Sequence, residues 1–153
     1  MSAYFCDSSA IVKRYVVETG SDWILAVTDP AVGNRIYVAR ITLVEVVSAI
    51  SRRERGGHIL AADADKSRAN FEKDFSIQFR KVEITEDLAE IAAQLAKNYN
   101  LRGYDAVQLS AALETEKERI SSGLSPLTLL SADIDLNAAA ENEGLAVDDP
   151  NDH

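Results

Sequence analysis

The chain has 153 residues, enough for one domain with a sizeable core and too few for two ordinary ones. Apolar residues make up 46% and charged residues 27%, a balance that excludes disorder as the main state. Sixteen Lys and Arg against 25 Asp and Glu give a formal charge of −9, which argues against a broad basic surface for nucleic acid.

Short apolar runs alternate with longer segments of helical period, the pattern of an α/β fold with a largely parallel sheet. Ala3 to Cys6 reads as a buried strand, followed by Ser8 and Ser9 as caps for a helix carrying Ile11, Val12, Tyr15 and Val16. Ser21 is a candidate cap for a second helix that stops before Pro30, and Ile36 to Ala39 reads as a strand. Thr42 opens a strongly apolar helix that turns basic at Arg52, Arg53 and Arg55 and ends at Gly56 and Gly57. Residues 59–78 are expected as a mostly polar helix with Ile59, Leu60, Phe71, Phe75 and Ile77 as its apolar contacts.

Val82 to Ile84 reads as a short strand, and Thr85 as the cap of a helix through Leu88, Ile91, Ala92 and Leu95. Tyr104 to Ala112 is a further apolar helix, expected to run into a charged turn over residues 114–119. Leu127 to Leu130 is a strand, Leu136 to Glu143 an Ala-rich helix, Gly144 a stop, and Leu145 to Val147 a fifth short strand. Residues 1–147 are expected as one domain, and residues 148–153 as an acidic C-terminal tail.

Cys6 is the only cysteine, so neither an intramolecular disulfide nor a thiolate zinc cluster is available, and a reducing cytoplasm is the expected compartment. His58 and His153 are the only imidazoles, and His58 sits in a Gly-Gly turn, which argues against a Ser-His-Asp triad. No stretch approaches the ~20 apolar residues of a membrane span, and no leader pattern is visible, so neither export nor membrane insertion is expected.

The informative residues are acids in apolar surroundings. Glu45 lies within Ile41 to Val47, a helix expected to be buried on most sides, where an unpaired carboxylate is costly. Asp105 sits at the first turn of an apolar helix, Asp7 at the end of the first strand, and Asp133 just past the strand at 127–130. The carboxyl ends of strands are where open α/β sheets bind ligands. Four acids from distant segments converge only around something cationic. With so little His and Cys, an all-oxygen set favours Mg²⁺ or Mn²⁺, ions suited to phosphodiester hydrolysis.

Each acid also has an ordinary structural explanation. Asp7 could cap a helix, Asp105 could complement a helix dipole, Glu45 could pair with Arg40 or another arginine, and either Asp133 or Asp135 could be a cap. Glu86, Asp87 and Glu90 read as a solvated helix face.

Phe5-Cys6-Asp7-Ser8-Ser9-Ala10 followed by Lys13-Arg14-Tyr15 resembles the opening of a PIN domain, and Thr42 to Ala49 resembles its second acidic motif. Leu101 to Leu109 is similar to the third motif and Leu130-Ser131-Ala132-Asp133 to the fourth, in order along nearly the whole chain. The resemblance implies a three-layer α/β/α PIN-like fold around a mostly parallel sheet of about five strands. It further implies a metal-dependent ribonuclease, at this length a VapC-type toxin that forms a homodimer and is held inactive by a small VapB-like antitoxin. Asp7, Glu45, Asp105 and Asp133 would be the acidic quartet that holds Mg²⁺ or Mn²⁺. Ser9 and Ser131 would be hydroxyls orienting the carboxylates. Many relatives carry Thr where this chain has Ser131, and Asp135 competes with Asp133 for the fourth place.

Arg40, Arg52, Arg53 and Arg102 are candidates for RNA phosphate contacts, or else solvated charges at helix ends. A catalytically idle PIN-like module that binds protein is the main rival. A phosphatase of the haloacid-dehalogenase type ranks below it, because position 9 is Ser where that family wants a second Asp. No Lys or Arg follows Arg119 whereas seven acids do, so the charge of −9 is concentrated beyond residue 119 and leaves a modest basic strip from Arg35 to Arg55.

Overall fold

A computed structural model describes residues 1–153. Five short strands, β1 (Ala3–Cys6), β2 (Arg35–Ala39), β3 (Arg80–Val82), β4 (Thr128–Leu130) and β5 (Ala146–Asp148), form one sheet in the order β3-β2-β1-β4-β5. Every pairing is parallel, with Phe5 opposite Tyr37 on one side and Leu129 on the other. The chain builds outward from β1 to β2 and β3, then crosses to the other side for β4 and β5. The ends of β1 and β4 therefore flank the point where strand order reverses, the place where such sheets bind ligands.

Seven helices cover both faces: α1 (Ser8–Ile11), α2 (Ser21–Val27), α3 (Thr42–Arg55), α4 (Ala61–Ile77), α5 (Glu86–Tyr99), α6 (Gly103–Ser121) and α7 (Ile134–Asn142). The first four pack Ile11, Ile24, Val46, Ile50, Phe71 and Phe75 against Cys6, Ile36, Val38 and Leu130. The last three pack Leu88, Leu95, Leu109, Ala112 and Leu136 against Phe5, Ala39, Leu127 and Leu129 on the opposite face. Strands buried on both sides read as continuous apolar runs, which is why Ala3 to Cys6 and Leu127 to Leu130 were legible. The three-layer expectation holds, and no helix is long and apolar enough to cross a membrane.

The structure corrects several local expectations. Asp7, not Ser8 or Ser9, caps α1: its backbone is extended and its side chain accepts from the Ala10 N–H. Helix α3 is not enclosed, because Val44 is 62% exposed. Leu60 and Ile77 at the ends of α4 are exposed rather than core contacts, leaving Phe71 and Phe75 to anchor it. The third strand falls at Arg80–Val82, two residues early, because Lys81 and Val82 pair with Val38 and Ala39.

The charged stretch 114–119 is helical and continuous with α6, since Thr115 and Arg119 turn inward. Arg119 Nε donates to the Ser125 carbonyl and Nη1 to the Tyr37 hydroxyl, so a charge that read as turn chemistry is a buried tie. After β5 the chain turns back over α2. Pro150 is buried, His153 stacks flat on Trp23 at 4.0 Å, and Asn151 Oδ1 accepts from Lys13 Nζ at 2.9 Å.

Candidate active site

Asp7 is placed by two local demands at once. It ends β1, with its N–H donated to the Leu130 carbonyl, and it caps α1 with Oδ1. Ser9 Oγ donates to Asp7 Oδ1 at 2.7 Å and Ser131 Oγ donates to Oδ2 at 2.8 Å. The same hydroxyls close the seam between the loops after β1 and β4: Ser9 Oγ accepts from the Ala132 N–H and Ser131 Oγ from the Asp133 N–H. Asp133 in turn caps α7, accepting from the Leu136 N–H at 3.0 Å, while Asp135 lies exposed in the first turn of that helix.

Glu45 and Asp105 come from the first turns of α3 and α6, helices on opposite faces of the sheet. Glu45 does not pair with Arg40. Its Oε1 instead accepts from Gln108 Nε2 at 2.7 Å, and Nε2 also donates to Thr42 Oγ1 at 2.9 Å. Gln108 is fully buried, and sequence reasoning missed it. The available signal was its spacing: Gln108 lies three residues after Asp105, as Glu45 does after Thr42, so each pair shares a helix face.

The acids repel one another. Burial pushes the Asp7 carboxyl up to about 7 despite hydrogen bonds from Ser9, Ser131 and Ala10 that favour the ion, and the charge of Asp105 adds to the rise. Burial pushes Asp105 up to about 6, with Asp133, Glu45 and Asp135 adding and only Arg102 opposing. A divalent cation would relieve this strain directly, and the all-oxygen donor set suits Mg²⁺ or Mn²⁺. No three acids are gathered closely enough to enclose an ion by protein ligands alone. An ion here would be held partly through its own waters, which Mg²⁺ commonly keeps.

Glu45, Asp105, Asp133 and Ser9 line one groove of about 630 Å³ together with Arg52, Arg53, Arg102, Tyr104 and Val44, with Asp7 buried beside its floor. Arg52 and Arg102 stand on this groove without an acidic partner, Arg52 donating only to Ser48 Oγ. Arg53 is engaged by Glu18 at 2.7 Å, and Glu18 also takes the buried Lys13 at 2.9 Å. Arg40 is not brought to the groove; it lies apart from it and forks onto Glu83. Tyr104 is 60% exposed beside Asp105, an open aromatic face at the groove wall.

An all-parallel α/β/α domain with carboxylates and arginines lining one groove at the reversal point of its sheet defines a class of fold and site more than a single protein. Comparison with known proteins narrows it. The PIN domain family model matches residues 4–142, and the chain belongs to that family. It is 32% identical over 113 residues to Ribonuclease VapC45 of Mycobacterium tuberculosis (strain CDC 1551 / Oshkosh), covering 74% of this chain and 76% of that one.

Among solved structures, FitAB bound to the IR36 DNA fragment matches with TM-score 0.67 at 18% identity, over 96% of this chain and 94% of that one. A toxin-antitoxin complex from Klebsiella pneumoniae matches with TM-score 0.63 at 19% identity, over 97% and 98%.

Proposed function

We propose that this protein is a divalent-metal-dependent endoribonuclease that hydrolyses RNA phosphodiester bonds and serves as the toxin of a toxin–antitoxin pair. The observation that carries the reading is geometric: Glu45, Asp105 and Asp133, from three distant segments, line one groove at the strand-reversal point, next to Asp7 held by Ser9 and Ser131, and none of the four is ion-paired to the arginines around them. Asp7, Asp105, Asp133 and Glu45 would hold Mg²⁺ or Mn²⁺, Glu45 directly or through water. Such an ion, when bound, polarises the phosphoryl group, lowers the pKa of water and stabilises the leaving oxygen.

The chain's own residues do the rest. Ser9 and Ser131 fix both oxygens of Asp7, so the carboxylate needs no reorganisation to take a cation. Arg52 and Arg102 are the arginines left to meet backbone phosphates, because Arg53 is spent on Glu18 and Arg40 on Glu83. Tyr104 offers a surface on which an unstacked base can lie.

The name of the 32%-identical relative supports ribonuclease chemistry, and the toxin-antitoxin complex among the structural neighbours supports a small VapB-like antitoxin as partner. A homodimer and a cytoplasmic location belong to the same reading; the nuclease unit expected over residues 1–147 reaches further, because β5 ends at Asp148 and Pro150 and Asn151 pack back on the domain. The test is RNA cleavage with Mg²⁺ or Mn²⁺, after chelation, and in Asp7→Asn and Asp105→Asn. Loss of cleavage in all but the metal-loaded wild type is expected. Cleavage that survives chelation sinks metal dependence, and absence of both cleavage and carboxylate-dependent metal uptake returns the idle binding module.

A further inference from the structure

Gln108 is an expensive residue to bury. Its side-chain amide lies between α3 and α6 with 1% of its surface exposed, and its Oε1 has no hydrogen-bond partner. Turning the amide over would set Oε1 against the carboxylate of Glu45, acceptor against acceptor, so the orientation is fixed by charge. Leu or Met would fill the same space and leave no acceptor orphaned. What an apolar side chain lacks is a donor for Glu45.

The kind of donor matters. Arg or Lys at this place would hold Glu45 and also cancel its charge, whereas a neutral amide holds the carboxylate and leaves the charge available. Only Oε1 of Glu45 accepts from a side chain, and Glu45 lines the groove shared with Asp105 and Asp133. Thr42 Oγ1 accepts the second Nε2 proton, a bond that satisfies the buried amide without touching Glu45.

We propose that Gln108 is a positioning residue for the cation site: it pins one oxygen of Glu45 between the two helices and leaves the other for a divalent ion. This rests on the reading of Glu45 as a metal-holding acid, so the test separates the two. Mn²⁺ affinity is measured by isothermal titration for wild type, Glu45→Gln, Gln108→Met and Thr42→Val, alongside thermal unfolding of each.

Gln108→Met is expected to bind Mn²⁺ roughly tenfold or more weakly and to lower kcat for RNA with little change in KM. Thr42→Val, which disturbs the same cluster but spares the bond to Glu45, should stay within about twofold of wild type, taken here as well under the tenfold outer-shell effect. Equal losses in the two variants would mean a merely structural cluster and would overturn the proposal, as would a folded Gln108→Met with wild-type affinity. If Glu45→Gln binds Mn²⁺ normally, the underlying reading fails instead. Should Gln108→Met not fold, the wild type decides: the Gln108 side-chain amide signal in NMR spectra must move on Mg²⁺ titration, and an unmoved signal at saturating Mg²⁺ overturns the proposal.

Discussion

Ser131 donates its hydroxyl proton to Asp7 Oδ2 at 2.8 Å, joining residues 124 apart in sequence across the central seam of the sheet. Ser131 is completely buried and sits on the one path between β4 and the acid-bearing loop, so its hydroxyl serves the fold and the site together.

Removing that hydroxyl therefore has two readouts. Ser131→Ala should cost about 2 kcal/mol, the usual worth of a buried bond to a charged acceptor, or roughly 4–8 °C in Tm at this size. Cleavage of RNA should fall by about 10–100-fold, as when other groups that orient a metal ligand are lost. Differential scanning calorimetry and a fluorogenic RNA assay check the pair; unchanged cleavage in the destabilised variant would confine Ser131 to the fold.

The carboxyls set the sign of the pH dependence. Asp7 at about 7 and Asp105 at about 6 hold protons in the folded chain that the unfolded chain has already released above its ordinary carboxylate range. Their contribution to stability is full below pH ~4 and is lost as pH rises through 6 and 7. Without divalent ions, the wild type should lose Tm between pH 5 and pH 8 more steeply than Asp7→Asn does. Mg²⁺ should raise the Tm of the wild type more at pH 8 than at pH 5. Parallel melting curves of the two proteins across that range would contradict this.

Arg52 and Arg102 are expected to act through charge alone. Replacing either by Ala should weaken RNA binding across sequences and lower the salt slope of log K by about 0.7, the single-strand value per phosphate contact. Arg40→Ala should leave the slope unchanged, because its guanidinium is committed to Glu83 away from the groove. Binding of a catalytically silenced variant to labelled RNA at several salt concentrations measures all three.

Two ion pairs differ sharply in burial, and their removal should differ in kind. Lys13 is 4% exposed and donates to Glu18, the Thr19 carbonyl and Asn151, so Lys13→Ala removes three hydrogen bonds and a buried stem and should cost about 2 kcal/mol, although Glu18 keeps Arg53. The Arg40–Glu83 pair lies in solvent, and Arg40→Ala should leave the urea midpoint nearly unchanged. Equal midpoint shifts in the two variants would contradict the distinction.

The sequence carried the architecture best where the strands are apolar and buried, as β1 and β4 are, and less well at the sheet edges, where β3 (Arg80-Lys81-Val82) and β5 are partly exposed. It misjudged 114–119 because Arg119 and Thr115 read as surface chemistry until the fold turns them toward Ser125 and the Ala111 carbonyl. Asp7, Glu45, Asp105 and Asp133 could be singled out because each interrupts an apolar run or ends a strand. Gln108 offered only its spacing from Asp105, and an uncharged amide on a helix becomes telling only once Glu45 is known to lie across from it. Arg40 and Arg53 were indistinguishable from Arg52 and Arg102 for the same reason: which arginine is already paired depends on Glu83 and Glu18, both remote in sequence.

The strand order also fixes when the groove can exist. Strand β1 precedes the other four in the chain and sits at the centre of the sheet, yet its neighbour β4 comes more than 120 residues later. Until β4 has emerged and paired, Asp7 has no Ser131, Asp133 has no helix to cap, and the reversal point is an open edge. A nascent chain halted before β4 carries three of the four acids and none of their common setting. The groove is thus a property of the completed sheet, which no contiguous stretch of the chain short of β4 can build.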